Sequence, residues 1–163
     1  MAGKFKLAVC QVKVSCDKEA NICNAETMVR RASAAGAKVV VLPEMFNCPY
    51  RPDFFPAYAE PYPGGSTVRM LSRVAAEEKI VLVGGSIPER DGDDVYNTSF
   101  TFGPRGELLG RHRKMHLFDV DLPDLQIRES STLKAGNDND VVDAGFCKLG
   151  VVVCFDMRFP ELA

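Results

Sequence analysis

The amino-acid sequence predicts an α/β fold built on a mixed sheet with helices on one face. In the first half, two short β-branched runs are each preceded by a stretch of helical periodicity, and the second half consists of short alternating runs joined by Gly, Pro and Asp turns. Strand–helix–strand units of this length are parallel crossovers, whereas tight turns make antiparallel hairpins, so the sheet is expected to be mixed.

Phe5 to Val12 alternates, with Leu7, Val9 and Gln11 on one side and Ala8, Cys10 and Val12 on the other. Both faces are largely apolar, which places this strand in the centre of its sheet. Asp17 is the expected N-cap of a helix reaching Ala35, with Ile22, Ala25, Val29 and Ala32 as its apolar stripe and Gly36 as its C′ residue. Lys38–Leu42 is a short buried strand stopped by Pro43, which leaves Glu44 just past its end. The following segment, 45–65, is rich in proline and aromatic residues and reads as a long ordered loop with room for one element around Phe54–Ala59.

Ser66 is expected to cap a second helix, striped by Val68, Leu71, Val74 and Ala75 and running to Glu78. Ile80 to Ile87 is a strand broken by Gly84-Gly85, a pair without dinucleotide-fingerprint spacing and therefore a bulge or a point of close packing. After an acidic turn at Asp91–Asp94, Val95–Phe102 and Glu107–Arg113 form a hairpin through Gly103-Pro104-Arg105-Gly106. Met115 to Gly136 is irregular, and Asp138–Asp140 is a solvated turn. Val141–Ala144 and Lys148–Val153 pair across Gly145, after which Cys154 lies on a strand-to-helix turn, with Pro160-Glu161 as the helix's first turn.

Length and composition limit the function classes. A chain of 163 residues, 46% hydrophobic and 26% charged, is one soluble globular domain. A net charge of −2, with cations scattered among acids, leaves no footprint for nucleic acid. Met1 to Lys6 leads directly into the first strand without a secretory h-region, Ala2 argues against myristoylation, and no apolar run has membrane-spanning length. The expected setting is the cytoplasm, with no membrane partner. The six cysteines, at 10, 16, 23, 48, 147 and 154, then read as reduced thiols, and none has the C-x-x-C spacing of a zinc site. No metal and no cofactor is implied.

Three chemically competent groups follow strand ends: Glu44, Lys114 and Cys154. Ligand sites of open α/β sheets gather at such edges, so the three can converge despite their separation in sequence. A free thiol with a pKa near ~8.5 is mostly protonated at neutral pH and needs a base or a cation beside it. Glu44 would take the thiol proton and pass it to a departing amine, Lys114 and the Phe155 N–H would hold the oxyanion, and water would then attack the thioester. By spacing alone, each of the three reads more readily as a surface charge or a small buried residue.

The local motifs distinguish these readings. Leu42-Pro43-Glu44-Met45-Phe46, Arg113-Lys114-Met115-His116-Leu117-Phe118 and Val153-Cys154-Phe155-Asp156-Met157-Arg158-Phe159-Pro160-Glu161 resemble, in order, the signature segments of the nitrilase superfamily of carbon–nitrogen hydrolases. The resemblance implies Glu44 as general base, Lys114 as stabiliser of the tetrahedral intermediate and Cys154 as nucleophile. It further implies Glu129, in Arg128-Glu129-Ser130-Ser131-Thr132-Leu133-Lys134-Ala135-Gly136-Asn137, as a second glutamate that helps position the groups. The implied fold is the family's α-β-β-α sandwich. Members continue past the cysteine, so residues 1–163 are expected to be a single domain supplying the first part of that sandwich, incomplete at its C-terminus. Members commonly form dimers or larger assemblies, and a homo-oligomer is expected.

Pro43-Glu44-Met45-Phe46-Asn47-Cys48-Pro49-Tyr50 and His116-Leu117-Phe118-Asp119-Val120-Asp121 look most like the ω-amidase branch, which hydrolyses the terminal amide of α-ketoglutaramate and α-ketosuccinamate. The substrate implied is a small amide carrying a carboxylate, which Arg158 could clamp bidentately while Tyr50 and Phe46 line the pocket. Two alternatives stand beside this reading: a related hydrolase of another amide, carbamoyl or nitrile substrate, and a truncated, non-catalytic interaction module. His112 and His116 have i, i+4 spacing but no intervening Glu, and they leave a strand, so they read as loop or pocket polar groups.

Overall fold

The computed structural model describes residues 3–138 and 141–162. β1 (Leu7–Val9), α1 (Lys18–Ala34) and β2 (Val39–Val41) form the first unit, with its strands parallel. Asp17 begins α1 as expected, its carboxylate accepting from the Ala20 N–H at 3.0 Å, and Gly36 leaves the helix at φ +88°. The loop after β2 contains α2 (Phe55–Tyr58), the element expected near Phe54–Ala59, and the short β3 (Glu60–Pro61). α3 (Ser66–Glu78) then leads to β4 (Val81–Val83), parallel to β2. β5 (Ile87–Asp91), β6 (Asp94–Phe102) and β7 (Leu108–Arg113) make an antiparallel meander.

β4 lies within the strand expected over Ile80–Ile87, whereas β5 begins at its last residue and runs on to Asp91; both pair to one edge of β6 while β7 takes the other. The break at Gly84-Gly85 is a point of close packing. A Cβ at Gly84 would lie 2.7 Å from Leu71 Cδ1, and one at Gly85, where φ is +57°, would lie 2.1 Å from the Pro43 carbonyl oxygen.

Alternation along the strands sends neighbouring side chains to opposite faces. Val40, Leu42, Leu82 and Phe100 pack against Ile22, Ala25 and Val29 of α1 and Leu71, Val74 and Ala75 of α3, so both long helices lie on one face. On the other face Val39, Val81 and Val83 meet Val142 and Val151, carried by and just after the hairpin of β10 (Val141–Asp143) and β11 (Lys148–Gly150). Among the described residues, no helix is long and apolar enough to cross a membrane.

Several local expectations are corrected. Among the described residues β1 is at the sheet's edge, paired with β2 alone, and Leu7 and Val9 are 49% and 76% exposed. Ser66 is the first helical residue, and Gly65 holds the cap position. There the buried Glu60 carboxylate does the capping, accepting from the Thr67 N–H at 3.0 Å and from Ser66 Oγ at 3.1 Å. Met115–Gly136 contains a separate hairpin, β8 (Asp119–Leu122) and β9 (Leu125–Arg128). Val151–Val153 is buried at Val151 and Val153 but carries no strand pairing among the described residues, and the Val153 N–H is taken by Asp156. Cys154–Arg158 is a 3-10 turn, and a second begins at Pro160 and covers Pro160–Leu162. Of the turn at Asp138–Asp140, Asp138 is exposed and Asn139 and Asp140 lie outside the described residues.

Candidate active site

The Glu44 turn is stitched to the β4–β5 break. Leu42 N–H donates to the Val83 carbonyl at 3.0 Å, Ser86 N–H to the Pro43 carbonyl at 3.2 Å, and Met45 N–H to Ser86 Oγ at 3.1 Å. Lys114 immediately follows β7 and extends the ladder by one residue: its N–H donates to the Asn97 carbonyl at 2.8 Å, and its own carbonyl accepts from Gly136 N–H at 2.9 Å. The chain at Gly136 passes so close that a Cβ there would lie 2.2 Å from the Arg113 carbonyl oxygen. Cys154 opens its 3-10 turn with φ at +48°, a left-handed conformation that L-residues other than glycine adopt at a cost.

These segments bring the side chains together. Lys114 is fully buried, with Nζ 2.9 Å from Glu44 Oε1 and 3.0 Å from Glu129 Oε1. Glu129, also fully buried, accepts from Tyr50 OH at 2.8 Å and from Phe118 N–H at 2.6 Å. Glu44 Oε1 takes a second bond from Asn97 Nδ2 at 2.9 Å. An ammonium has three donors, and among the described residues two carboxylates accept from it.

The electrostatics follow from one cation among two carboxylates. Burial would lower the Lys114 pKa, but Glu44 and Glu129 outweigh it and hold the ammonium above its ordinary value. Burial, then the charge of Glu44 and its hydrogen bond to the thiol, raise the Cys154 pKa, while Lys114 pulls the other way. A thiol so placed is protonated at rest and needs a base, and the neighbouring acceptor is Glu44. Burial and the charges of Glu44 and Glu129 also raise the Tyr50 pKa, which keeps the phenol a donor.

A cavity of about 320 Å³ opens onto the group, lined by Glu44, Tyr50, Phe118, Cys154, Phe155, Met157 and Arg158. Arg158 is exposed, and the Phe155 N–H lies in the leading turn of a 3-10 helix, where the first N–H groups lack helical partners. Phe46 is placed differently from expectation. It is fully buried in the main core beneath the helices, because the turn at Met45 sends it inward, and it does not line the cavity.

Four groups at the site are given no role there by the sequence: Asn97, His112, His116 and Asp156. Asn97, in the middle of β6, holds Glu44 through its side chain and Lys114 through its carbonyl. His112 and His116 share a partner, the buried Asp156 carboxylate, with His112 Nε2 at 2.9 Å and His116 Nδ1 at 3.0 Å. A clue lay in the i, i+4 spacing of the histidines, which places them on either side of Lys114.

Comparison with known proteins places this geometry. The family model described as carbon-nitrogen hydrolase matches residues 6–163. The omega-amidase NIT2 of Danio rerio is 52% identical over 99% of the chain, and that of Mus musculus 50% identical over 98%. The chain spans 58% of the length of each. Among solved structures, Saccharomyces cerevisiae Nit3, a member of branch 10 of the nitrilase superfamily, superposes with a TM-score of 0.82 at 44% identity, over 91% of this chain and 54% of that one.

Proposed function

This chain belongs to the carbon–nitrogen hydrolase family, and from that premise we propose that it is a cysteine-dependent amidase acting on a small amide with a distal carboxylate. The observation that carries the reading is the meeting of Glu44, Lys114 and Cys154 from three distant segments, with Glu44 and Cys154 lining one cavity and Lys114 buried behind Glu44.

Glu44 accepts the Cys154 proton as Sγ attacks the amide carbon. The carbonyl π pair moves onto oxygen, where the third Lys114 donor and the Phe155 N–H receive the negative charge. Glu44 returns the proton to nitrogen, the C–N bond breaks, and ammonia leaves a thioester. Water then attacks that carbon, gives its proton to Glu44, and the thiol is reprotonated as the carboxylate product departs. Glu129 holds Lys114 in place and keeps the ammonium charged.

Arg158 at the cavity mouth supports a substrate carrying an anionic end, and the similarity to omega-amidases supports α-ketoglutaramate or α-ketosuccinamate as that substrate. The reading includes a single domain in the cytoplasm that assembles as a homo-oligomer, which sizing by light scattering would test. The chemical test is ammonia release from α-ketoglutaramate, with butyramide as the carboxylate-free control. The reading expects α-ketoglutaramate to be preferred and Cys154→Ala to abolish release. Equal rates on the two amides would remove the carboxylate specificity, and an active Cys154→Ala would remove the mechanism.

A further inference from the structure

Cys154 stands at φ +48° in a turn where no glycine relieves the crowding of Cβ against its own backbone. Such a conformation persists only where surrounding structure over-determines it. The group placed to do so is Asp156, whose fully buried carboxylate has five partners. Oδ2 accepts from Val153 N–H at 3.1 Å and pairs with His112 Nε2 at 2.9 Å. Oδ1 accepts from Met115 N–H at 3.1 Å and His116 N–H at 2.8 Å, and pairs with His116 Nδ1 at 3.0 Å. The backbone closes the same turn, with Asp156 N–H on the Val153 carbonyl and Phe159 N–H on the Asp156 carbonyl, both at 3.0 Å. Phe159 in turn stacks on the His116 ring at 3.5 Å between centroids.

We propose that Asp156, together with His112, is the positioning residue that locks Cys154 into its left-handed conformation and fixes the nucleophile relative to Lys114. One carboxylate binds the residue before the nucleophile and the two residues after the lysine, so the segments cannot shift independently. An ionised carboxylate is an acceptor only, so each paired ring nitrogen carries its proton. His112 donates from β7, two residues before Lys114, and anchors the carboxylate to the rigid sheet. Neither histidine lines the cavity, and their part is geometric. Without the clasp the turn relaxes toward ordinary φ and the thiol leaves Glu44.

The role rests on the amidase reading, so the test uses one readout that needs turnover and one that does not. For turnover, kcat and KM on α-ketoglutaramate are compared in wild type, Asp156→Asn, His112→Leu and His112→Gln, with far-UV circular dichroism to establish folding. Asp156→Asn and His112→Leu should lose roughly 100-fold in kcat, the scale of a misplaced reacting group, with KM changed less than about threefold. His112→Gln, which restores a donor, should recover most of that loss.

The second readout is the pH profile of iodoacetamide alkylation of the Cys154 peptide by mass spectrometry. In wild type Glu44, Lys114, Glu129 and Tyr50 face the thiol, with Arg158 on the same cavity, and the midpoint lies above the ordinary value because of burial and Glu44. In Asp156→Asn and His112→Leu it should fall toward the free-thiol value near ~8.5. Folded variants with wild-type kcat and an unmoved midpoint would overturn the proposal. So would a His112→Gln variant as impaired as His112→Leu. If Asp156→Asn does not fold, the two His112 variants decide. A wild type that turns over no amide refutes the amidase reading alone, and the alkylation midpoints still decide on the clasp.

Discussion

Replacing Lys114 by Met keeps the buried volume and removes the one cation between Glu44 and Glu129. The Lys114–Glu129 pair is fully buried on both sides, and Glu44 is 19% exposed. Breaking a buried pair by removing one partner costs about 3–5 kcal/mol. With a urea m-value of about 2 kcal/mol per M, the unfolding midpoint should fall by roughly 2 M. The pH dependence gives a sharper sign. In the wild type the folded Lys114 pKa is raised, so its contribution is fully present below the ordinary lysine value and is lost only as pH rises through the higher folded one. It therefore gives no slope between pH 5 and 8. In Lys114→Met two carboxylates face each other without a cation, and the folded state takes up a proton that the unfolded chain does not. The variant should regain stability as pH falls from 7 toward 5, by up to about 1.4 kcal/mol per pH unit. Urea titrations followed by circular dichroism at three pH values measure both effects. A midpoint within ~0.3 M of wild type at pH 7, with no gain on acidification, would refute the claim that this lysine is the charge that holds the site together.

Further outcomes follow from neighbouring contacts. Asn97→Asp replaces the donor to Glu44 Oε1 by a third carboxylate and should lower kcat/KM by roughly 100-fold, with Asn97→Ala milder, in steady-state assays. Burial raises the Asp156 pKa, but the bonds from His112 and from the His116 and Val153 N–H groups outweigh it and hold the carboxyl down to about 2. This depressed folded value stabilises above the unfolded Asp pKa and is lost as pH falls through the folded one. Between about pH 4 and 2 the wild type should therefore lose roughly 2 kcal/mol that Asp156→Asn does not, read from acid titrations of urea stability. Gly85→Ala sets a Cβ 2.1 Å from the Pro43 carbonyl oxygen at a φ of +57°, so it should displace the Glu44 turn and destabilise the protein by more than ~2 kcal/mol, measured by thermal unfolding.

How far the sequence could be read depended on whether the signal was local. The apolar stripes of α1 and α3 and the turn chemistry of the β6–β7 hairpin act within a few residues, and the elements stand where periodicity put them. Apolar residues on both faces of Phe5–Val12 suggest a central strand, yet alternation cannot tell how many neighbours a strand has, and among the described residues β1 has one. The β8–β9 hairpin does alternate, with Val120, Leu122, Leu125 and Ile127 on one face, but each strand is only four residues long, too short a run for the period to stand out. At the site, Glu44, Lys114 and Cys154 were readable because each directly follows a strand or an extended run inside a recognisable segment. Asp156 and Asn97 were not, because, the Val153 N–H apart, the partners of their side chains lie 40 or more residues away and include backbone N–H groups, which leave no mark on residue type. Phe46 was misread for a similar reason: adjacency to Glu44 says nothing about direction, and the left-handed Met45 turns it into the core.

The central claim is that Cys154 forms a covalent acyl intermediate with its amide substrate. Acid quenching of the enzyme during turnover of α-ketoglutaramate, followed by peptide mass spectrometry, tests it directly. The account predicts a thioester adduct on the peptide carrying Cys154, absent from Cys154→Ala and accumulating to a different level when Glu44→Gln slows the hydrolytic half. Turnover with no adduct on Cys154, or an adduct on another of the thiols, would contradict it.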